Sequence, residues 1–136
     1  ATRCLQESIQ RDSALENPQD VYHYLTHKLR PYPYEVFSCL FLDNAHRFIH
    51  FEELFHGSIN EAAIYPRELI RQVYEHNAAA VILAHNHPSG IAEPSEADKR
   101  ITQEIKSILS AIDVRLLDHI IIGEGAITSF ASQGLL

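Results

Sequence analysis

The sequence predicts an α/β domain in which a mixed sheet is flanked by helices, and three observations carry that expectation. Residues 34–43 and 47–55 are rich in β-branched and aromatic side chains and are parted only by Asn44-Ala45-His46, the pattern of a hairpin. Residues 78–84 read AAAVILA, a short apolar run that fits a strand buried on both faces better than a helix. Between and around these strands lie stretches with apolar residues at helical spacing, each opened by a helix-start signal. At 136 residues the chain is expected to form one domain large enough to bury a core without staples.

Residues 1–16 are polar and mixed, and read as an N-terminal linker or short helical segment; residues 17–136 form the domain. Asn17-Pro18 is an N-cap followed by Pro at the first helical position. Val21, Tyr22, Leu25 and Leu29 give that helix an apolar side, and Pro31 and Pro33 stop it. After the hairpin, Gly57 marks the exit and residues 58–64 read as a connecting loop. Pro66 opens a helix whose Leu69, Ile70, Val73 and Tyr74 are expected to face the core, ending near Asn77. The buried strand follows. A Pro/Gly loop then leads to Ser95, which opens a helix with Ile101, Ile105, Ile108, Leu109 and Ile112 on one face. Residues 114–123 form an apolar strand, Gly123-Glu124-Gly125 a turn, and residues 126–130 a last short strand.

Composition excludes several classes. Hydrophobic residues make up 46% and charged residues 21%, ordinary for a soluble globular chain. No apolar run is long enough to span a bilayer, and the start carries no secretory pattern, so a mature soluble chain working in the cytoplasm is expected. Cys4 and Cys39 are too few and too far apart for a disulfide framework or a cysteine zinc site; both read as reduced thiols, with Cys39 buried. A net charge of −7 argues against nucleic-acid binding through this domain, because such affinity comes mainly from Lys and Arg neutralising phosphates. His23 and His27 share a helix face at i, i+4 but have no third ligand in sequence, so a solvated face is the better reading.

The chemistry concentrates in His85-Asn86-His87-Pro88-Ser89-Gly90 and Pro94-Ser95-Glu96-Ala97-Asp98. On extended backbone residues i and i+2 point the same way, so His85 and His87 can grip one ion. Asp98, eleven residues later, supplies an anionic third ligand. Two histidines, an aspartate and a water leave the open position that catalytic zinc needs and structural zinc lacks. Ser95 and Asp98 also have the form of a helix capping box; beside His-x-His this becomes a shared use, an Asp held by its own helix that still aims at a metal.

His-x-His, seven residues, Ser, two residues, Asp resembles the JAMM signature of MPN/JAB-domain zinc metalloproteins, and HNHPSG with PSEAD resembles their bacterial RadC-like branch. The resemblance extends through Leu42-Asp43, Glu53-Leu54-Phe55-x-Gly57, Tyr65-Pro66-Arg67-Glu68, residues 118–123 (DHIIIG) and Ser129-Phe130, and covers nearly the whole chain from about Asn17. It implies a single MPN/JAB-like domain with a cytidine deaminase-like layered α/β/α arrangement, and Zn2+ on His85, His87 and Asp98. Full-length members usually carry an upstream helix-hairpin-helix segment, and none is read in these residues.

A metal-activated water needs a base, and Glu35, Glu52 and Glu53 are the candidates. The resemblance places the catalytic glutamate at the start of the first core strand, after a helix and well upstream of His-x-His, and Glu35 has that place. Glu53 is the runner-up. The resemblance also gives Ser95 the part of a hydrogen-bond donor to the oxyanion that develops on an attacked carbonyl. A zinc-dependent metallopeptidase or isopeptidase follows, with the peptide or protein substrate and the oligomeric state left open. The main rival is a non-catalytic, metal-bearing protein-interaction module, tied to DNA repair by family name only. A metal-dependent phosphodiesterase would want Arg or Lys clustered near the site, and a zinc deaminase would want His-x-Glu with Pro-Cys-x-x-Cys. Asp118-His119 reads either as a pair behind the metal ligands or as groups satisfying each other or the backbone, with the second slightly ahead.

Overall fold

In a computed structural model, residues 17–57 and 66–136 are described. The linker expected over 1–16 and the loop expected over 58–64 lie outside them. The elements are α1 (Pro18–Leu29), β1 (Val36–Leu42), β2 (Phe48–His56), α2 (Pro66–Glu75), β3 (Ala80–Asn86), α3 (Glu96–Ala111), β4 (Arg115–Ile122) and β5 (Ile127–Ser129). Among the described residues the strands form one mixed sheet in the order β2-β1-β3-β4-β5. β3 and β4 are parallel and the other neighbours antiparallel. The parallel pair is the one whose connection contains a helix, α3, as a crossover requires.

Side-chain alternation sorts the core into two layers. Val36, Leu40 and Leu42 of β1 pack with Ala80, Ile82 and Ala84 of β3 under Val21, Leu25 and Leu29 of α1. The intervening Phe37, Cys39, Phe41, Val81 and Leu83 pack on the opposite face with Leu69 and Val73 of α2 and Ile105 and Leu109 of α3. Both faces of β1 and β3 are therefore covered, which is why neither strand alternates apolar with polar. The result is the layered arrangement expected.

The helices begin as expected and pack with two differences. Asn17 caps α1 by accepting from the Gln19 amide, and Pro18 opens it. In α1 it is Tyr24 that is buried, its ring meeting Phe48 and Phe51 edge-on, while Tyr22 is only partly covered. In α2 the expected Tyr74 is 71% exposed and Gln72 is buried instead. Leu69, Gln72 and Val73 are related as i, i+3 and i+4, whereas Tyr74 falls about 140° around the helix from Leu69. α2 and α3 are each followed by a left-handed residue, Asn77 at φ 51° and Asp113 at φ 59°, side chains that tolerate this conformation.

Candidate metal centre

Phe37–His85 is the outermost pair of the β1–β3 ladder, and beyond it the strands separate. The gap is filled by the carboxamide of Asn86, which is 2% exposed and by strand parity shares the α1 side with Ile82 and Ala84. Its Oδ1 accepts from the Val36 amide at 2.7 Å, and its Nδ2 donates to the carbonyls of Tyr34 at 2.9 Å and Tyr32 at 3.4 Å. By strand parity His85, His87 and Glu35 then share the opposite, α3 side of the opening.

Four expected residues meet there. The Nε2 atoms of His85 and His87 lie 3.0 Å apart. The Asp98 carboxylate faces both, with Oδ1 3.3 Å from His85 Nε2 and Oδ2 3.2 Å from His87 Nε2. Glu35 Oε1 is 3.7 Å from His87 Nε2. One ligand atom from each of Glu35, His85 and His87 fits within a 4.8 Å span, a group that can hold a metal ion. The far nitrogens are already used: His87 Nδ1 donates to the Ile91 carbonyl at 2.9 Å, and His85 Nδ1 lies 2.7 Å from His119 Nε2. What converges on the centre is a set of imidazole nitrogens and carboxylate oxygens, and lone pairs crowded this closely would be stabilised by a cation between them. The donor set suits zinc.

The capping box of α3 is formed in full. Ser95 Oγ accepts from the Asp98 amide at 3.0 Å, and Asp98 Oδ2 accepts from the Ser95 amide at 2.8 Å. Burial opposes ionisation of Asp98, but its contacts with His85 and His87 outweigh it and hold the carboxyl well below the usual carboxylate range. The same contact with Asp98 raises the pKa of His87 against the effect of its burial. Accepting from Asp98 leaves the Ser95 hydroxyl proton unused by the cap.

The competing glutamates are engaged elsewhere. Glu53 accepts from the Tyr32 hydroxyl at 2.7 and 2.9 Å and lies 3.1 Å from His56 Nε2, and Glu52 lies 2.8 Å from His50 Nε2. Asp118 takes the structural part: it accepts from the His119 and Ala131 amides and from the Ser129 hydroxyl. His119 turns the other way, toward His85. A register shift in the β3–β4 ladder, where β4 carries the extra residue Leu117, changes the strand's phase so that His119 faces the same side as Leu116. Thr102, fully buried on α3, lies 2.6 Å from His119 Nδ1. Sequence reasoning missed Thr102 and Asn86. A polar residue one turn after Asp98 on a face otherwise apolar was the available signal for Thr102.

The loop after the histidines closes on the end of β4. A Cβ on Gly123 would stand 2.4 Å from the Gly90 carbonyl oxygen, so only glycine allows this approach. A cavity of about 420 Å³ opens beside it, bounded by His87, Asn86, Tyr32, Pro88, Arg30 and Glu124.

Comparison with known proteins agrees with this geometry. Residues 15–135 match the RadC-like JAB domain. The chain is 57% identical over 134 residues to a UPF0758 protein of Nitrosococcus oceani, covering 98% of this chain and 60% of that one. It is 55% identical over 132 residues to a UPF0758 protein of Alcanivorax borkumensis, covering 97% and 59%, and 54% identical over 136 residues to one of Halorhodospira halophila, covering 100% and 61%. The chain thus spans about three-fifths of the length of the curated relatives it matches.

Proposed function

The chain belongs to the RadC-like JAB domain family, and from that premise we propose that it is a zinc-dependent hydrolase of amide bonds, a metallopeptidase or isopeptidase acting on a peptide or protein. The observation that carries this is the convergence of two imidazole Nε2 atoms 3.0 Å apart with the Asp98 carboxylate and Glu35. His85, His87 and Asp98 would hold the zinc. When bound, the ion supplies Lewis-acid activation of water and of a substrate carbonyl. Glu35 would take a proton from the attacking water and return it to the leaving nitrogen, a task suited to a carboxylate that is 23% exposed and lies 3.7 Å from His87 Nε2. Ser95 donates its free hydroxyl proton to the carbonyl oxygen as negative charge develops on it.

Elemental analysis of the purified protein beside His87→Ala and Asp98→Ala tests the metal. One zinc per chain, lost in both variants, is the expected result. Because His87 binds its proton more tightly than an ordinary histidine, zinc uptake should weaken as pH falls through a value above the usual 6.5. No zinc after reconstitution at neutral pH would sink the hydrolase reading and leave a non-catalytic interaction module. Glu35→Gln should keep the zinc and abolish hydrolysis of any peptide substrate found; retained hydrolysis would remove Glu35 as the base.

A further inference from the structure

We infer that Thr102 and His119 are positioning residues that fix the tautomer of His85, presenting the lone pair of its Nε2 to the centre. The inference rests on the reading that this centre holds a metal, and it concerns side chains behind it. The direction of every proton follows from one end of the chain. The Asp98 backbone carbonyl can only accept, and Thr102 Oγ lies 2.6 Å from it, so the hydroxyl proton must lie on that line. With its proton spent there, Thr102 Oγ accepts across the 2.6 Å contact to His119, which makes His119 Nδ1 a donor. His119 Nε2 is then a lone pair and accepts across 2.7 Å from His85 Nδ1. His85 Nε2 is left bare, facing Asp98 Oδ1 at 3.3 Å.

Two further observations keep this arrangement from reversing. Thr102 and His119 are both 0% exposed and His85 is 1% exposed, so water offers no alternative donor or acceptor. The His119 ring is stacked on Phe130, with centroids 4.6 Å apart and planes 21° apart, and meets Phe37 edge-on at 5.8 Å. That sandwich holds the ring in one orientation. Asp98 stands at both ends of the circuit, its carboxylate in the centre and its carbonyl anchoring the relay, so the first turns of α3 position two ligands at once.

The test is the nitrogen-15 spectrum of the histidine rings in the metal-free protein at about pH 8, where unperturbed imidazoles are neutral. In the wild type, His85 and His119 should both carry the proton on Nδ1. Thr102→Val removes the acceptor for His119 Nδ1, so both rings should move their proton to Nε2; Thr102→Ser should restore the wild-type pattern. Zinc affinity by chelator competition should fall about 10- to 100-fold in Thr102→Val and return in Thr102→Ser. A His85 that keeps its proton on Nδ1 in Thr102→Val overturns the inference. Should that variant not fold, Thr102→Ala replaces it, and a wild-type spectrum with either ring protonated on Nε2 overturns the inference by itself. A wild type with the expected tautomers but no zinc would instead overturn the metal reading and leave the relay standing.

Discussion

On the β3 side of the cleft His85, Asp98, Thr102 and His119 are each no more than 2% exposed, whereas on the β1 side Glu35 is 23% exposed and follows Tyr34, which is 44% exposed. The first group is tied together by side-chain contacts within the sheet–α3 interface. Among the described residues Glu35 makes no comparable set; its backbone carbonyl accepts from Gly57 at 2.7 Å, and its neighbours Tyr34 and Val36 hang on Asn86. A grip that must keep a fixed geometry is built into the core, where packing leaves few alternatives. The group that, in the proposed reaction, would move protons between water and a leaving nitrogen stands where solvent reaches it.

The sharpest way to break this contrast is Asp98→Ala. It removes an ionised group that is nearly sealed from water and leaves both histidines without their anionic partner. Losing one member of such a buried pair is expected to lower the stability of the metal-free protein by about 3–5 kcal/mol. Urea denaturation of metal-free protein reads this, and a change under about 1 kcal/mol would mean that the centre is not part of the core's stability. Glu35→Gln in the same assay should fall within about 0.5 kcal/mol, the ordinary range for a substitution away from a buried network.

Asn86→Leu probes the joint between the two sides. It leaves the Val36 amide and the Tyr34 carbonyl without their partner in a buried setting, at a cost of about 2–3 kcal/mol. Hydrogen exchange should accelerate first at Val36, whose amide bonds to the lost oxygen, and not at Ser38, which lies inside the β1–β3 ladder. Equal acceleration through all of β1 would show that the carboxamide supports the whole sheet and not the Glu35 segment.

The same contrast explains what could be read from the sequence. The grip is local: His85 and His87 share a strand end, and Ser95 and Asp98 share a helix start, so the spacing alone brought them together. The alternation of strands and helices and their capping residues were equally local, and each described element lies within a few residues of its expected place. Glu35 came through resemblance, because nothing in residues 34–43 says which part of β3 they will meet. Asn86 reads as a spacer between two histidines, and its function appears only when β1 and β3 separate around it. His119 depends on the register shift at Leu117, a feature that no hydrophobic pattern announces. Tyr74 went wrong because apolar character was counted ahead of its angle around α2.

A small effect, on stability alone, belongs to the rim. Tyr32 donates to both oxygens of Glu53, and its ring lies 5.4 Å from Tyr34 and 5.6 Å from His56. The hydrogen bond to Glu53 raises the Tyr32 pKa, so the phenol stays a donor through the neutral range. Tyr32→Phe removes this bond and keeps the ring, and because Glu53 is 26% exposed, water can replace the lost partner. A loss of at most about 1 kcal/mol is expected, with zinc content unchanged. If Glu53 stood in for Glu35 as the base, freeing it from Tyr32 would instead change hydrolysis while leaving stability nearly untouched. Measuring both on Tyr32→Phe separates a rim that only holds its shape from one that takes part in the reaction.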